Sequence, residues 1–558
     1  MPDGVVANNA RWTFHHPRAF WFGAVVSTAG VLLHLPMYID ARAMGYRMVG
    51  MPADPEMIIG MILIGIGLVS SFYGLLPPRV AAIRQHSARV RVRALDDAPI
   101  KSQHVALLIV MAIAVLIDNM KPITLGFVAP GMAKEYGLKS PLNPLGHVPV
   151  ALLPLAGIVG TVIGAFIWGS LADRIGRRPA ILFASMLFVT TSICGAMPEF
   201  SWNLVMCFFM GIAAGGLLPI AFALIAETIP ARHRSWLMVL VGGNVAGAYV
   251  ITSWLAAELT PTFSWRIMWL IGIPTGLLLI LLNRWIPESP RYLLAVGRTK
   301  AAEQVMLRYG AAVVSGPEFP AEGPAGQVGH SFAALFRRPF TGAATAITIL
   351  AIGAGLVTYG FQLWIPTNLQ HLGFTAVSTD YILRNAALIG LPLILVVAWM
   401  YGYWSSRKTI VVLSAVSAVA LFAFVVGGDS LARYHHLLLS ALLVIPIAGI
   451  SSLVAVAAAY SSEIYPTSIR SRGVGLSAGM TKVGGVLIIG VVAAAATVPS
   501  IAVTALIGAV PLVVAVVIFC YAGPETNRRR LEEITRGEFA LSAPAPPPPP
   551  VSAPRSAA

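Results

Sequence analysis

A short polar string occurs twice in this chain, and the interval between its copies constrains the fold more than any other feature. Glu227-Thr-Ile-Pro230-Ala-Arg-His-Arg234 and Glu463-Ile-Tyr-Pro466-Thr-Ser-Ile-Arg470 share the pattern E-x-x-P-x-x-x-R, and all three matched positions are displaced by the same 236 residues. Each copy closes a long apolar segment. A charged triplet repeated at one fixed interval in so apolar a chain implies duplicated membrane-spanning halves, the architecture of secondary transporters.

The 558 residues are 57% hydrophobic and only 11% charged, against roughly 25% charged in soluble globular proteins. Most of the surface must therefore face lipid. The net charge of +15 would suggest nucleic acid in a soluble protein, but its placement argues for membrane topology instead. Cys194, Cys207 and Cys520 lie in or beside apolar runs without metal-ligand or disulfide spacing. No nucleophile–base set, phosphate loop or metal cluster is present, so neither an enzyme nor a cofactor is expected.

Apolar runs of about 20 residues are membrane-helix candidates. They fall at 19–39, 57–76, 104–130, 148–171, 180–197, 202–226, 236–257, 265–286, 341–366, 381–403, 409–427, 434–460, 473–496 and 500–522. The last 12 of these 14 segments form the duplicated unit. Threading them alternately places 29 of the 38 Lys and Arg residues on one side. By the positive-inside rule that side is cytoplasmic and holds both termini. The reading is a multi-pass protein of the cell (inner) membrane.

The expected organisation is an extension (1–103) with two membrane helices and a basic linker, then a six-helix bundle (104–286). A cytoplasmic loop (287–340), a second six-helix bundle (341–522) and a Pro-rich tail (523–558) follow. A rival reading takes 19–39 as a cleaved signal peptide, but the stretch is long for that role. The linker arginines Arg79, Arg84, Arg89, Arg91 and Arg93 with Lys101 serve as a topology signal, with contact to anionic lipid heads as the alternative.

Gly169-Ser-Leu-Ala-Asp173-Arg174-Ile-Gly176-Arg177-Arg178-Pro179 joins the fourth and fifth segments. So tight a turn needs a residue tolerant of positive φ, and Gly176 supplies it. This string resembles the G-x-x-x-D-R-x-G-R-R turn of the major facilitator superfamily. The second half carries a reduced copy, Gly402-Tyr-Trp-Ser-Ser-Arg407-Lys408, without the acid. Pro287-Glu288-Ser289-Pro290-Arg291 and Pro524-Glu525-Thr526 are similar to motifs shared by sugar porters, organic-ion carriers and aromatic-acid:proton symporters. The glycine-rich stretches Gly211–Pro219 and Gly473–Gly484, and Tyr359-Gly-Phe-Gln362-Leu-Trp364-Ile-Pro366, look nearest to the acid symporters. The resemblance implies an all-α fold of two pseudo-symmetric six-helix bundles, here with an additional N-terminal helix pair. It also implies a cytoplasmic gate in which Asp173, Arg174, Arg177, Arg178, Glu227 and Arg234, with Glu463 and Arg470, form salt bridges that tie the halves together. Two positions depart from the acid-symporter pattern: Lys121 stands where a second acid is usual, and Lys482 where an arginine is.

Intramembrane charges are functional candidates by default. Asp118 and Lys121 are three apart, on one helical face and able to pair. Asp118 is expected to carry a proton, Lys121 and Lys482 to attract an anion, and Tyr359, Gln362 and Trp364 to line the cavity. Arg266 and Arg384, at external helix ends, are expected to snorkel, and His34 to sit near an interface. The expected function is proton-coupled symport of a small carboxylate by alternating access. The partners are that molecule, protons and lipid, with no nucleic acid, and a monomer suffices. Proton-driven export of drugs or metabolites, and a non-transporting receptor on a carrier fold, are the alternatives.

Overall fold

The computed structural model describes residues 16–76, 98–296, 298–311, 335–336, 340–434, 436–465, 470–495 and 498–526. Most of the basic linker, the Gly/Pro-rich part of the long loop and the Pro-rich tail lie outside these residues.

The described residues are helical with short connections. Helices α1 (Pro17–Met44, whose last turn is 3-10) and α2 (Pro55–Leu75) form the N-terminal pair. The first bundle comprises α3 (Ser102–Glu135), α4 (Leu152–Ile175), α5 (Arg177–Ala196), α6 (Phe200–Thr228), α7 (Arg232–Phe263) and α8 (Ile267–Trp285). Two short helices, α9 (Pro290–Ala295) and α10 (Thr299–Arg308), follow. The second bundle comprises α11 (Thr341–His371), α12 (Ala376–Trp404), α13 (Ser406–Tyr434), α14 (Leu438–Ile464), α15 (Arg470–Ala495) and α16 (Ile501–Ala522). Among the described residues 13 helices are long and apolar enough to cross a membrane, and Leu152–Trp168 within α4 is a shorter apolar stretch. These correspond to the 14 segments read from the sequence.

Within a bilayer there is little hydrophobic drive between helices, so close packing depends on small residues. The stripe Gly211, Gly215 and Gly216 on α6 meets this need against α4. A Cβ at Gly211 would stand 1.9 Å from the Gly157 carbonyl oxygen, one at Gly215 2.4 Å from that of Thr161, and one at Gly216 2.1 Å from the Trp168 ring. The N-terminal pair closes in the same way: Gly23 meets the Gly67 carbonyl and Gly30 that of Gly60. His34 is buried in this seam. Its Nδ1 lies 2.8 Å from the Gly30 carbonyl oxygen, so it is a packing residue of the pair. The pair rests on α5, through Val31 and Ile64 against Val189, Ile193 and Met197.

Gly176 links α4 to α5 with φ of 104°, the left-handed backbone that favours glycine. Contacts of α4 with α15, α7 with α12 and α14, and α3 with α11 join the bundles.

Candidate functional site

Proline decides the backbone chemistry of the central region, because it cannot donate to the carbonyl four residues earlier. In α3, Pro122 withdraws the usual helical partner of the Asp118 carbonyl, and Pro130 that of Gly126. In α11, Val357–Gln362 is a π-helical turn, a distortion frequent at functional sites, and Pro366 withdraws the partner of the Gln362 carbonyl. That carbonyl accepts instead from the Tyr249 hydroxyl of α7 at 3.0 Å. A break in one bundle is thus completed by a side chain of the other.

Asp118 is buried, and its Oδ1 has no hydrogen-bond partner among the described residues. The charge acting on it is that of Lys482 on α15, in the opposite bundle. Lys482 Nζ donates to the Tyr359 hydroxyl at 2.8 Å and lies 5.4 Å from that ring's centroid. A carboxylate in one bundle is thus within electrostatic reach of an ammonium in the other, which a phenol of that bundle holds.

Lys121 does not join this group. It is buried with Nζ 3.4 Å from Ser192 Oγ, beside Cys194, in a slot that exists because residue 272 is glycine. A Cβ there would stand 2.0 Å from Nζ. No Asp118–Lys121 ion pair forms, although the helical spacing permits one, because the slot draws Lys121 into its own bundle. Gln362 turns its amide to the Pro446 carbonyl within the second bundle. Trp364 is fully buried, and its Nε1 has no partner among the described residues.

The bundles also touch at both ends. At the end carrying the duplicated strings, Gly402 lies against Trp236 and Gly243 against Ile394, and Ser235 of α7 lies beside the Glu463 carboxylate of α14. At the other end, a Cβ on Gly126 would stand 2.8 Å from the Leu363 carbonyl oxygen. There the Tyr381 hydroxyl donates to Glu258 Oε1 at 2.8 Å.

At the string-bearing end, Arg177 Nη2 pairs with Glu227 Oε1 at 3.4 Å, both side chains largely buried. The Arg177 backbone N–H donates to Glu288 Oε1 at 2.8 Å. Arg178 Nε donates to Asn283 Oδ1 at 3.0 Å, and Arg234 Nη2 to the Ile229 carbonyl at 3.0 Å. Arg174 is exposed at the end of α4. The side chains of Asp173 and Arg470 lie outside the described set. The Glu463–Arg470 pairing therefore also lies outside the described set. The Glu463 carboxylate accepts from Tyr401 at 2.8 Å and Thr526 at 2.6 Å, with Ser235 beside it. Arg177–Glu227 lies within the first bundle, and Ser235 beside Glu463 is a contact between the bundles.

Arg266 is no snorkelling anchor. It is fully buried, its Nη2 2.6 Å from Glu135 Oε1, with bonds to the Gly195 and Met197 carbonyls and the Tyr136 hydroxyl. Its Cζ also lies 4.7 Å from the Trp265 ring centroid. Arg384 by contrast stays half-exposed, over the Tyr381 ring and bonded to Asn385. The apolar run that locates α12 begins at 381, whereas the helix begins at Ala376, so the buried acid Asp380 falls just outside the run. An acid one turn inside a helix start was the signal.

The sequence profile of the family described as "Sugar (and other) transporter" matches residues 123–537. The chain is similar to the niacin transporter NiaP of Acinetobacter baylyi, 26% identical over 71% of this chain and 88% of that protein. It is similar to the 4-hydroxybenzoate transporter PcaK of the same organism (27%; 70% and 85%) and to the gallate transporter of Pseudomonas putida (28%; 70% and 85%). Among solved structures, the proton:xylose symporter XylE bound to 6-bromo-6-deoxy-D-glucose superposes with a TM-score of 0.61 at 18% identity, covering 78% of this chain and 98% of that one. A partially occluded inward-open form of XylE from E. coli gives 0.62 at 16% identity, covering 77% and 100%.

Proposed function

Because this chain belongs to the sugar (and other) transporter family of the major facilitator superfamily, we propose that it moves a small organic carboxylate together with protons by alternating access. The observation that carries the reading is the cross-bundle group of Asp118, Lys482 and Tyr359. A substrate carboxylate entering between the bundles would take the Lys482 ammonium as its partner. Asp118, left without that cation, would be costly to keep charged in the closed cavity, so anion binding and protonation support each other. The relatives are named for niacin, 4-hydroxybenzoate and gallate, and each of these molecules bears a carboxyl group.

In this reading the string-bearing end is cytoplasmic, since basic residues favour that side, and the protein sits in the cell membrane as a functional monomer. Arg177–Glu227 stiffens the cytoplasmic end, and the Ser235–Glu463 contact closes it. The Tyr249–Gln362 bond closes the external end. A rocking bundle pair must break one set while keeping the other, because only interactions that differ between states shift their balance. Lys121 acts from the first shell of packing around α3 and not as an anion ligand.

The test is uptake of 4-hydroxybenzoate and nicotinate into proteoliposomes under an outside-acid gradient. Wild type should accumulate a carboxylate uphill, while Asp118→Asn should exchange it across the membrane without concentrating it. Uphill accumulation by Asp118→Asn would remove Asp118 from the proton role.

A further inference from the structure

Asp380 lies in the second turn of α12, where α12 packs against α7 of the other bundle. The residue is 6% exposed. Among the described residues it makes no side-chain hydrogen bond and no ion pair. The neighbouring Thr379 Oγ1 is fully buried without a partner. The Tyr249 phenol feels the Asp380 charge, and that phenol makes the bond to Gln362 that joins the bundles at this end. Toward solvent on the same seam lies the Glu258–Tyr381 pair.

Among the described residues, the other charged groups of α7, α11 and α12 are occupied or turned away. Glu258 on α7 takes the Tyr381 hydroxyl, and Arg384 on α12 covers the Tyr381 ring and binds Asn385. His371, at the end of α11, is exposed. Arg232, His233 and Arg234 stand at the far end of α7. The helix N-terminus favours an anion only within the first turn, and there Thr375 already caps the Ser378 N–H.

An ionised carboxylate buried without a partner costs several kcal/mol. When the bundles part at this end, water would reach the seam and remove that cost. Closure therefore selects the neutral acid. Resting on the alternating-access reading above, we infer that Asp380 is a second proton-binding carboxylate of this carrier, and that the external end closes only when it is protonated. Each closure from outside then traps one proton at Asp380, separately from the proton at Asp118.

Two substrate-free measurements on the purified full-length protein test this. The first is pH-difference infrared spectroscopy. Asp380→Asn should lose one protonated-carboxyl C=O component, and Asp380→Glu should restore it at a shifted frequency. Superimposable spectra of wild type and Asp380→Asn overturn the proposal. Superimposable spectra of wild type and Asp118→Asn instead overturn the Asp118 assignment and leave Asp380 standing. The second uses distance labels at the exposed Thr262 and His371, in a background lacking the exposed Cys520. The wild-type ratio of closed to open external ends should rise about tenfold as pH falls, a change of about 1.4 kcal/mol. Asp380→Asn should stay closed at every pH, and Asp380→Glu should recover the response. An Asp380→Asn response equal to wild type overturns the gating role.

Discussion

Glu288 and Glu525 stand in the same relation to the two bundles. Glu288 Oε1 accepts the backbone N–H of Arg177, the first residue of α5, at 2.8 Å. Glu525 Oε1 accepts that of Ser406, the first residue of α13, at 2.9 Å. An anion at a helix N-terminus satisfies an orphan donor and meets the positive end of the macrodipole. In each half, the chain leaving the last helix of the bundle thus returns to cap the third. The Cβ-less Gly176 makes room for this, since a Cβ there would lie 2.5 Å from Glu288 Oε2.

The cap gives stability a pH dependence. Burial pushes the Glu288 carboxyl from 4.5 up to about 7, while the Ser289 and Arg177 N–H groups and the Arg177 charge pull it down. The folded value exceeds the unfolded one, so the native state holds this proton more tightly. The stability it contributes is present below pH 4.5 and is lost as pH rises through about 7. The melting temperature of wild type should therefore fall by a few degrees between about pH 5 and 8 relative to Glu288→Gln, which keeps the acceptor oxygen but cannot ionise. Thermal unfolding in detergent across that range checks it; parallel slopes would refute the argument.

Removing one partner of the Arg177–Glu227 pair leaves the other charge largely buried. Such losses reach about 3–5 kcal/mol for fully buried pairs and are smaller here, where both side chains keep some exposure. Because both partners belong to the first bundle, Glu227→Gln should lower the melting temperature while leaving the balance between open and closed ends near that of wild type. Alkylation of a single cysteine at Ser452, buried beside Gly243, should then proceed at the wild-type rate. Ser235→Ala, which removes a group beside Glu463 across the bundles, should raise that rate several-fold, because a neutral hydroxyl bond contributes only about 1 kcal/mol.

Tyr359 holds Lys482 in two ways, by its hydroxyl and by its ring. Tyr359→Phe keeps the ring and removes the acceptor. Carboxylate binding should weaken by about tenfold, in line with about 1.5 kcal/mol for a hydrogen bond to a charged group. Lys482→Ala should abolish binding. Isothermal titration with 4-hydroxybenzoate separates the two; equal losses would mean that the hydroxyl, not the cation, is the anion's partner.

Much of this was legible because membranes restrict what a chain can do. Every backbone polar group must be satisfied internally, so apolar length alone located the helices, and the 236-residue interval revealed the duplication. Gly176 was readable because a tight turn admits few residues, and the α6 glycines because close helices need them. What escaped depends on side-chain direction. Residues 118 and 121 share a helical face, yet Asp118 looks across the interface while Lys121 drops into the slot left by Gly272. Glu463 repeats the pattern of Glu227, yet the string gives no sign of the Tyr401 and Thr526 hydroxyls that bond it. Asp380 falls just outside the apolar run that locates α12.

Arg266 is the sharpest departure from periodicity, since a cation at a helix end normally reaches for water. Here the guanidinium is enclosed by one carboxylate, two carbonyls, a phenol and an indole face. The same carboxylate, Glu135, also accepts the Met48 N–H at 2.9 Å and the Trp265 Nε1–H at 2.8 Å. This one acid thus fastens the N-terminal pair to the first bundle. Arg266→Lys cannot reproduce a fork directed at four acceptors, and Arg266→Ala strands Glu135 in a buried site, at a cost of about 3–5 kcal/mol. Both should lower the melting temperature, alanine more. Glu135→Gln should do so less; its one amide oxygen can serve Trp265 at the Oε2 position or Met48 and Arg266 at the Oε1 position but not both, so the connection to Met48 should loosen. Faster limited proteolysis between Ala41 and Pro55 in Glu135→Gln, with the two bundles still intact, is the expected signature. Unchanged cleavage there would mean that the Gly/Ser seam and α5 contacts hold the pair without Glu135.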